Sequence, residues 1–83
     1  MTQETAKPIH AEIYWVAARD KLGWMYRLRF ANGDEENGPW GGGVVADRID
    51  MAVKRLLATR GVVIYSTDVA VDAARRRGVW KLA

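Results

Sequence analysis

In the stretch Trp24-Met25-Tyr26-Arg27-Leu28-Arg29-Phe30, two guanidinium groups alternate with aromatic and aliphatic side chains. A guanidinium offers planar paired donors that match a phosphate or a carboxylate. In an extended chain successive side chains point to opposite faces, so Arg27 and Arg29 share one face with Met25. Trp24, Tyr26, Leu28 and Phe30 take the other. Arginines on a sheet face beside aromatic rings can follow a phosphate backbone while rings stack on bases. The plainer use of the same pattern is a solvated outer face. Arg75, Arg76 and Arg77 form a second basic cluster, directly before Gly78. At the end of a helix three cations complement the negative terminus of the helix dipole, and they are also available to a ligand.

Trp40 follows Pro39 and precedes Gly41-Gly42-Gly43, so it has little local structure to shelter in. It suits a contact residue and equally a ring folded back onto the core. Arg27, Arg29, Trp40, Arg75, Arg76 and Arg77 are therefore the candidate binding residues. The glycine run carries neither a Gly-Lys-Ser/Thr sequence nor G-x-G-x-x-G spacing, which marks it as a joint rather than a nucleotide loop. His10 is the single histidine and has no nucleophile in a recognisable motif beside it. Asp50 suits an exposed helix position paired with Lys54, and Asp68 suits a helix N-cap. Asp34-Glu35-Glu36 reads as a solvated acidic turn and argues against a uniformly basic surface. No catalytic residue, metal ligand or cofactor is assigned.

The elements that position these residues follow from periodicity. Residues 9–18 alternate with period two and are rich in β-branched and aromatic types, hence a strand. Residues 24–30 form a second strand, paired with the first as a hairpin. Asn32-Gly33 is a strong hairpin-turn signal, and a short edge strand over 35–40 is expected after it, with Pro39 tolerated only at an edge. Over residues 44–60, Val45, Ile49, Ala52, Val53, Leu56 and Leu57 fall at helical spacing, with Gly61 as the C-terminal cap. A buried strand over 62–65 and a second helix over 68–77, opened by Ser66-Thr67-Asp68, are expected next. Residues 79–82 suit a last short strand. The fold class is thus α/β: a small mixed sheet of three to five strands with two helices, in one domain over 9–83 behind a flexible tail, 1–8.

Eighty-three residues suffice for one core, and four tryptophans help to fill it. With 49% hydrophobic and 28% charged residues the composition is that of a folded chain rather than a disordered one. The chain lacks cysteine, which excludes disulfides and thiolate metal sites and fits a reducing, cytoplasmic setting. No apolar run approaches a membrane span and no targeting signal is visible. A net charge of +3 permits contact with nucleic acid or an acidic protein without demanding either.

Three segments look like parts of ribonuclease H. Ala11-Glu12-Ile13-Tyr14 resembles the opening strand of that family. Arg48-Ile49-Asp50-Met51-Ala52 is similar to the start of its main helix. Val63-Ile64-Tyr65-Ser66-Thr67-Asp68 resembles the strand ending in Ser-Thr-Asp. The resemblance implies a ribonuclease H-like fold whose chemistry uses carboxylates to hold two divalent ions. The first-strand aspartate position falls on Trp15 or Val16 here, and the last carboxylate and histidine of the family have no counterpart. What the resemblance implies is therefore a degenerate site, carrying at most Asp50 and Asp68.

These readings lead to a non-catalytic binding module that docks on nucleic acid or a nucleoprotein complex. The alternative is a small phage- or mobile-element-encoded inhibitor, of the kind that blocks a bacterial defence nuclease (an anti-CRISPR type). A degenerate metal-dependent nuclease ranks last. Pairing of two copies through an exposed sheet edge is a further expectation.

Overall fold

In a computed structural model, residues 7–20 and 22–83 are described; residues 1–6 of the tail expected over 1–8, and Lys21 in the first turn, lie outside them. Pro8 is buried and already opens strand β1, Pro8–Ala17. The chain continues through β2 (Leu22–Phe30), β3 (Glu35–Pro39), helix α1 (Ile49–Ala58), β4 (Ala70–Asp72) and β5 (Arg77–Lys81). Single 3-10 turns precede α1 at Ala46–Arg48 and β4 at Ser66–Asp68. The strands form one five-stranded sheet in the order β3-β2-β1-β5-β4. Every neighbouring pair is antiparallel, so the sheet is not mixed as expected.

The first hairpin forms where the alternation places it, with Trp15 opposite Trp24, Ile13 opposite Tyr26 and Ala11 opposite Leu28. Asn32 and Gly33 make the second turn. Gly33 takes φ +92, and the Asn32 carboxamide accepts from the Asp34 N–H at 2.9 Å, the local bond that favours asparagine in turns. β3 then pairs with β2, as expected.

α1 packs on the face carrying Ile13, Leu28 and Trp80. Its residues Ala52, Val53, Leu56 and Leu57 are buried there, together with Ile64 and Val69. The helix is shorter than the apolar spacing predicts, because residues 44 and 45 are not helical and 46–48 form only the 3-10 turn. It ends as the sequence requires. Gly61 adopts φ +78, its N–H donates to the Ala58 carbonyl at 3.1 Å, and the Val62 N–H donates to Leu57 at 2.9 Å. That is the Schellman pattern, which a left-handed glycine permits.

Gly78 decides how closely α1 approaches. A Cβ placed there would lie 2.7 Å from Ile49 Cγ2 and 3.1 Å from Val53 Cγ2. Its role is close approach of helix to strand, not termination of a helix.

The second helix expected over 68–77 does not form. Asp68 closes the 3-10 turn, where its Oδ2 accepts from the Tyr65 N–H at 3.0 Å, and the chain enters β4. The Asp72 carboxylate then accepts from the Arg75 N–H at 3.2 Å and turns the chain. β5 returns between β1 and β4. Ala73, Ala74 and the arginines are good helix formers, but propensity is a weak prior beside sheet pairing on both edges of β5. Nor are residues 62–65 a strand. Ile64 is buried while Val63 and Tyr65 are 90% and 77% exposed, so the segment alternates without a neighbouring backbone to pair with.

The sheet edges are β3 and β4, so the expected pairing of two copies would have to use one of these strands. β3 carries Glu35, Glu36 and Pro39, and β4 is three residues long. Both are features that discourage edge pairing. Among the described residues, no helix is long and apolar enough to cross a membrane.

Candidate anion-binding face of the sheet

The sheet has a second face, opposite α1, and among the described residues no element packs on it. Register builds this face row by row, since directly paired residues of neighbouring strands project to the same side. His10 lies between Arg29 and Lys81, Glu12 between Arg27 and Val79, and Tyr14 between Met25 and Arg77. The outer strands extend the rows: Glu35 is opposite Arg29, Asn37 opposite Arg27, and Asp72 opposite Arg77.

Glu12 is the organising residue, at only 2% exposure. Arg27 Nη1 stands 3.1 Å from its Oε1 and Arg77 Nη2 stands 2.5 Å from its Oε2. A buried carboxylate is tolerated only when its oxygens are satisfied, and here arginines from the two flanking strands satisfy both. The two guanidinium groups cover the carboxylate while their side chains stay partly exposed, and Arg27 Nε is buried without a hydrogen-bond partner among the described residues. The Arg27 guanidinium also lies 5.7 Å from the centre of the Tyr14 ring, a cation–π distance. Tyr14, Trp15 and Arg75 line a shallow hollow of about 300 Å³ together with Glu12, Arg27 and Arg77.

Arg29 is held more loosely. Its Nη2 is 3.5 Å from Glu35 Oε2, and Arg27 Nε is 3.5 Å from Glu35 Oε1, both longer than good hydrogen bonds. Lys81 forms no ion pair among the described residues. Beyond the strand, Arg75 pairs with Asp72 at 3.6 Å. Arg76 adopts φ +48, costly for a residue with a side chain. Its guanidinium lies over the Trp15 ring at 5.2 Å, and its carbonyl accepts from the Trp15 N–H at 3.0 Å.

His10 is partly buried, and its Nδ1 is sealed from solvent without a partner among the described residues. Burial lowers its pKa below the ordinary histidine value, and Arg29, Arg77 and Arg27 lower it further, against the opposing pull of Glu12.

The structure thus unites Arg27, Arg29 and Arg77 on one face with Arg75 at its margin, although the two clusters are far apart in sequence. Trp40 is elsewhere. Its ring packs against the core from the α1 side, and its Nε1 donates to the Gly43 carbonyl at 3.2 Å. A side chain on Gly42 would collide with that ring, so this glycine makes room for it. Sequence reasoning missed Glu12, Tyr14, His10 and Lys81 as members of the face. Their alternation within one strand was visible, but the pairing of β5 with β1 was not.

The carboxylates singled out by the resemblance serve local roles. Asp50 lies 3.9 Å from Arg48, not paired with Lys54 as the helix spacing suggested, and Asp68 caps its own turn. Among the described residues, no three histidine, aspartate or glutamate side chains come together as a metal-binding group. On the α1 side, Tyr26 donates to Glu36 Oε2 at 2.8 Å, and Arg60 contacts the same oxygen. The chain matches no known protein family, no curated protein and no solved structure.

Proposed function

We propose that this chain is a non-catalytic binding module whose open sheet face takes single-stranded nucleic acid. The observation that carries the reading is that Arg27 and Arg29 on β2 and Arg77 and Lys81 on β5 flank the open face of β1, which carries His10, Glu12 and Tyr14. Phosphates meet the guanidinium and ammonium groups, and Tyr14 offers a partly exposed ring on which a base can stack. Interspersed carboxylates at Glu12, Glu35 and Asp72 keep the face from being uniformly basic. They favour moderate, salt-sensitive affinity over tight backbone binding. A flat, shallow face also suits an unpaired strand better than the grooves of a duplex.

Anisotropy of a labelled thymidine oligomer, titrated at several salt concentrations, tests the reading. Each phosphate contact to a single strand contributes about 0.7 to the slope of log affinity against log salt, so four cations predict a slope of about −2 to −3. Absence of any salt-dependent binding would move the function to an acidic protein partner, the setting in which a nuclease-blocking inhibitor works.

A further inference from the structure

We infer that His10, Arg29 and Lys81 form a phosphate cradle at one end of the open sheet face. The inference rests on the nucleic-acid reading for its natural ligand, a phosphodiester, but not for its geometry. The three residues are direct cross-strand partners, Arg29 on β2, His10 on β1 and Lys81 on β5. Together with Ile9, Leu82 and Ala83 they line a hollow of about 430 Å³. Neighbouring strands lie about 4.8 Å apart, which lets one tetrahedral anion span the two outer cations and touch the ring between them.

Three features suit this row to an anion. Lys81 has no ion-pair partner among the described residues, and Arg29 has only the loose contact with Glu35 on β3 at 3.5 Å. A phosphate entering the hollow therefore breaks little. His10 Nδ1 is sealed and unpaired, which leaves Nε2 as the nitrogen able to meet a ligand. The neutral ring with its proton on Nε2 is a donor toward the anion, and the protonated ring is a charged one. The groups around His10 are Glu12 on its own strand, Arg27 and Arg29 on β2, and Arg77 and Lys81 on β5, with Glu35 beyond Arg29. Burial disfavours a proton on His10, and Arg29, Arg77 and Arg27 add to this against the pull of Glu12. A phosphate in contact with the ring brings negative charge that favours the proton. Ligand and proton then bind cooperatively.

The sequence holds one histidine, so its ring proton resonances report on this row alone. The experiment is an NMR pH titration of the full chain, free, with inorganic phosphate, and with a thymidine oligomer of about ten nucleotides. Both additions should raise the midpoint of the His10 titration. Oligomer affinity should be at least about threefold tighter near pH 5.5 than near pH 8. His10→Gln should remove this excess pH dependence while leaving the salt dependence, and Lys81→Gln should weaken phosphate binding with no change in thermal midpoint. If the oligomer binds with a steep salt slope while His10 is unmoved by either addition, the cradle is refuted and the nucleic-acid reading stands. If phosphate shifts His10 and the oligomer does not bind, the cradle stands as a free-phosphate site and the nucleic-acid reading falls. If neither ligand binds, both are wrong.

Discussion

The guanidinium of Arg77 rests on the carboxylate of Glu12, a residue 65 positions earlier in the chain, and Arg27 holds the other oxygen of the same carboxylate. One buried acid thereby ties β1 to the strands on both sides and fixes two cations of the open face at a set spacing. Glu12→Gln should destabilise the fold by about 1–3 kcal/mol, the range for a hydrogen bond to a charged group, reduced because both arginines are partly exposed. Urea denaturation is the measurement. An unchanged midpoint would show that the arginines do not depend on Glu12.

Arg27 and Arg29 alternate identically in sequence but differ in their attachments. Arg27→Gln leaves Glu12 half-satisfied and should lower both stability and affinity for nucleic acid. Arg29→Gln, which loosens only the contact with Glu35, should change stability by less than about 0.5 kcal/mol while making the salt slope shallower by about 0.7. Equal stability losses in the two variants would contradict the asymmetry between them.

Gly78→Ala tests the seating of α1. The added methyl meets Ile49 and Val53 inside a packed core, and overpacking of this kind costs about 1–3 kcal/mol. Ile49→Ala in the same chain removes the Cγ2 that the added methyl meets, so the double variant should lose less stability than the sum of the two single losses. A Gly78→Ala protein as stable as the parent would mean that the helix can rise from the sheet without cost.

Leu56 is 2% exposed at the centre of the helix face. Leu56→Ala should cost about 2–5 kcal/mol, the range for emptying a buried leucine site. Thermal unfolding followed by far-ultraviolet circular dichroism gives the value, and a loss below about 0.5 kcal/mol would mean that the helix is rotated from the orientation described.

The hydrogen bond from Tyr26 holds the Glu36 carboxyl below its ordinary value of 4.5, helped by Arg60, and the same bond raises the Tyr26 phenol above 10.0. A depressed acid stabilises the fold above its unfolded-state pKa, and that stability is lost as pH falls below about 4.5. A raised phenol stabilises below its unfolded-state pKa, with loss as pH climbs above about 10. Tyr26→Phe should therefore flatten the stability profile at both extremes. A profile indistinguishable from that of the parent would remove the pair from the pH response.

The local elements were legible in the sequence wherever period and turn chemistry agreed. Alternation from Ile9 and from Trp24 specified β1 and β2, Asn32-Gly33 specified their continuation into β3, and the apolar stripe ending at Gly61 specified α1. Those signals are written within a few residues of where they act. The last short strand expected over 79–82 forms as β5, but the alanines and arginines over 68–77 favour a helix only locally, whereas both edges of β5 are satisfied by strands distant in sequence or beyond the turn. Long-range pairing has no local signature. The site followed the same division. The sequence determined which side chains could carry positive charge and which alternated together. Only the tertiary structure decided that β5 lies beside β1. That adjacency sets Arg77 and Lys81 across β1 from Arg27 and Arg29 and buries Glu12 among them, because a residue's neighbours across a sheet are chosen by strand order rather than by position along the chain.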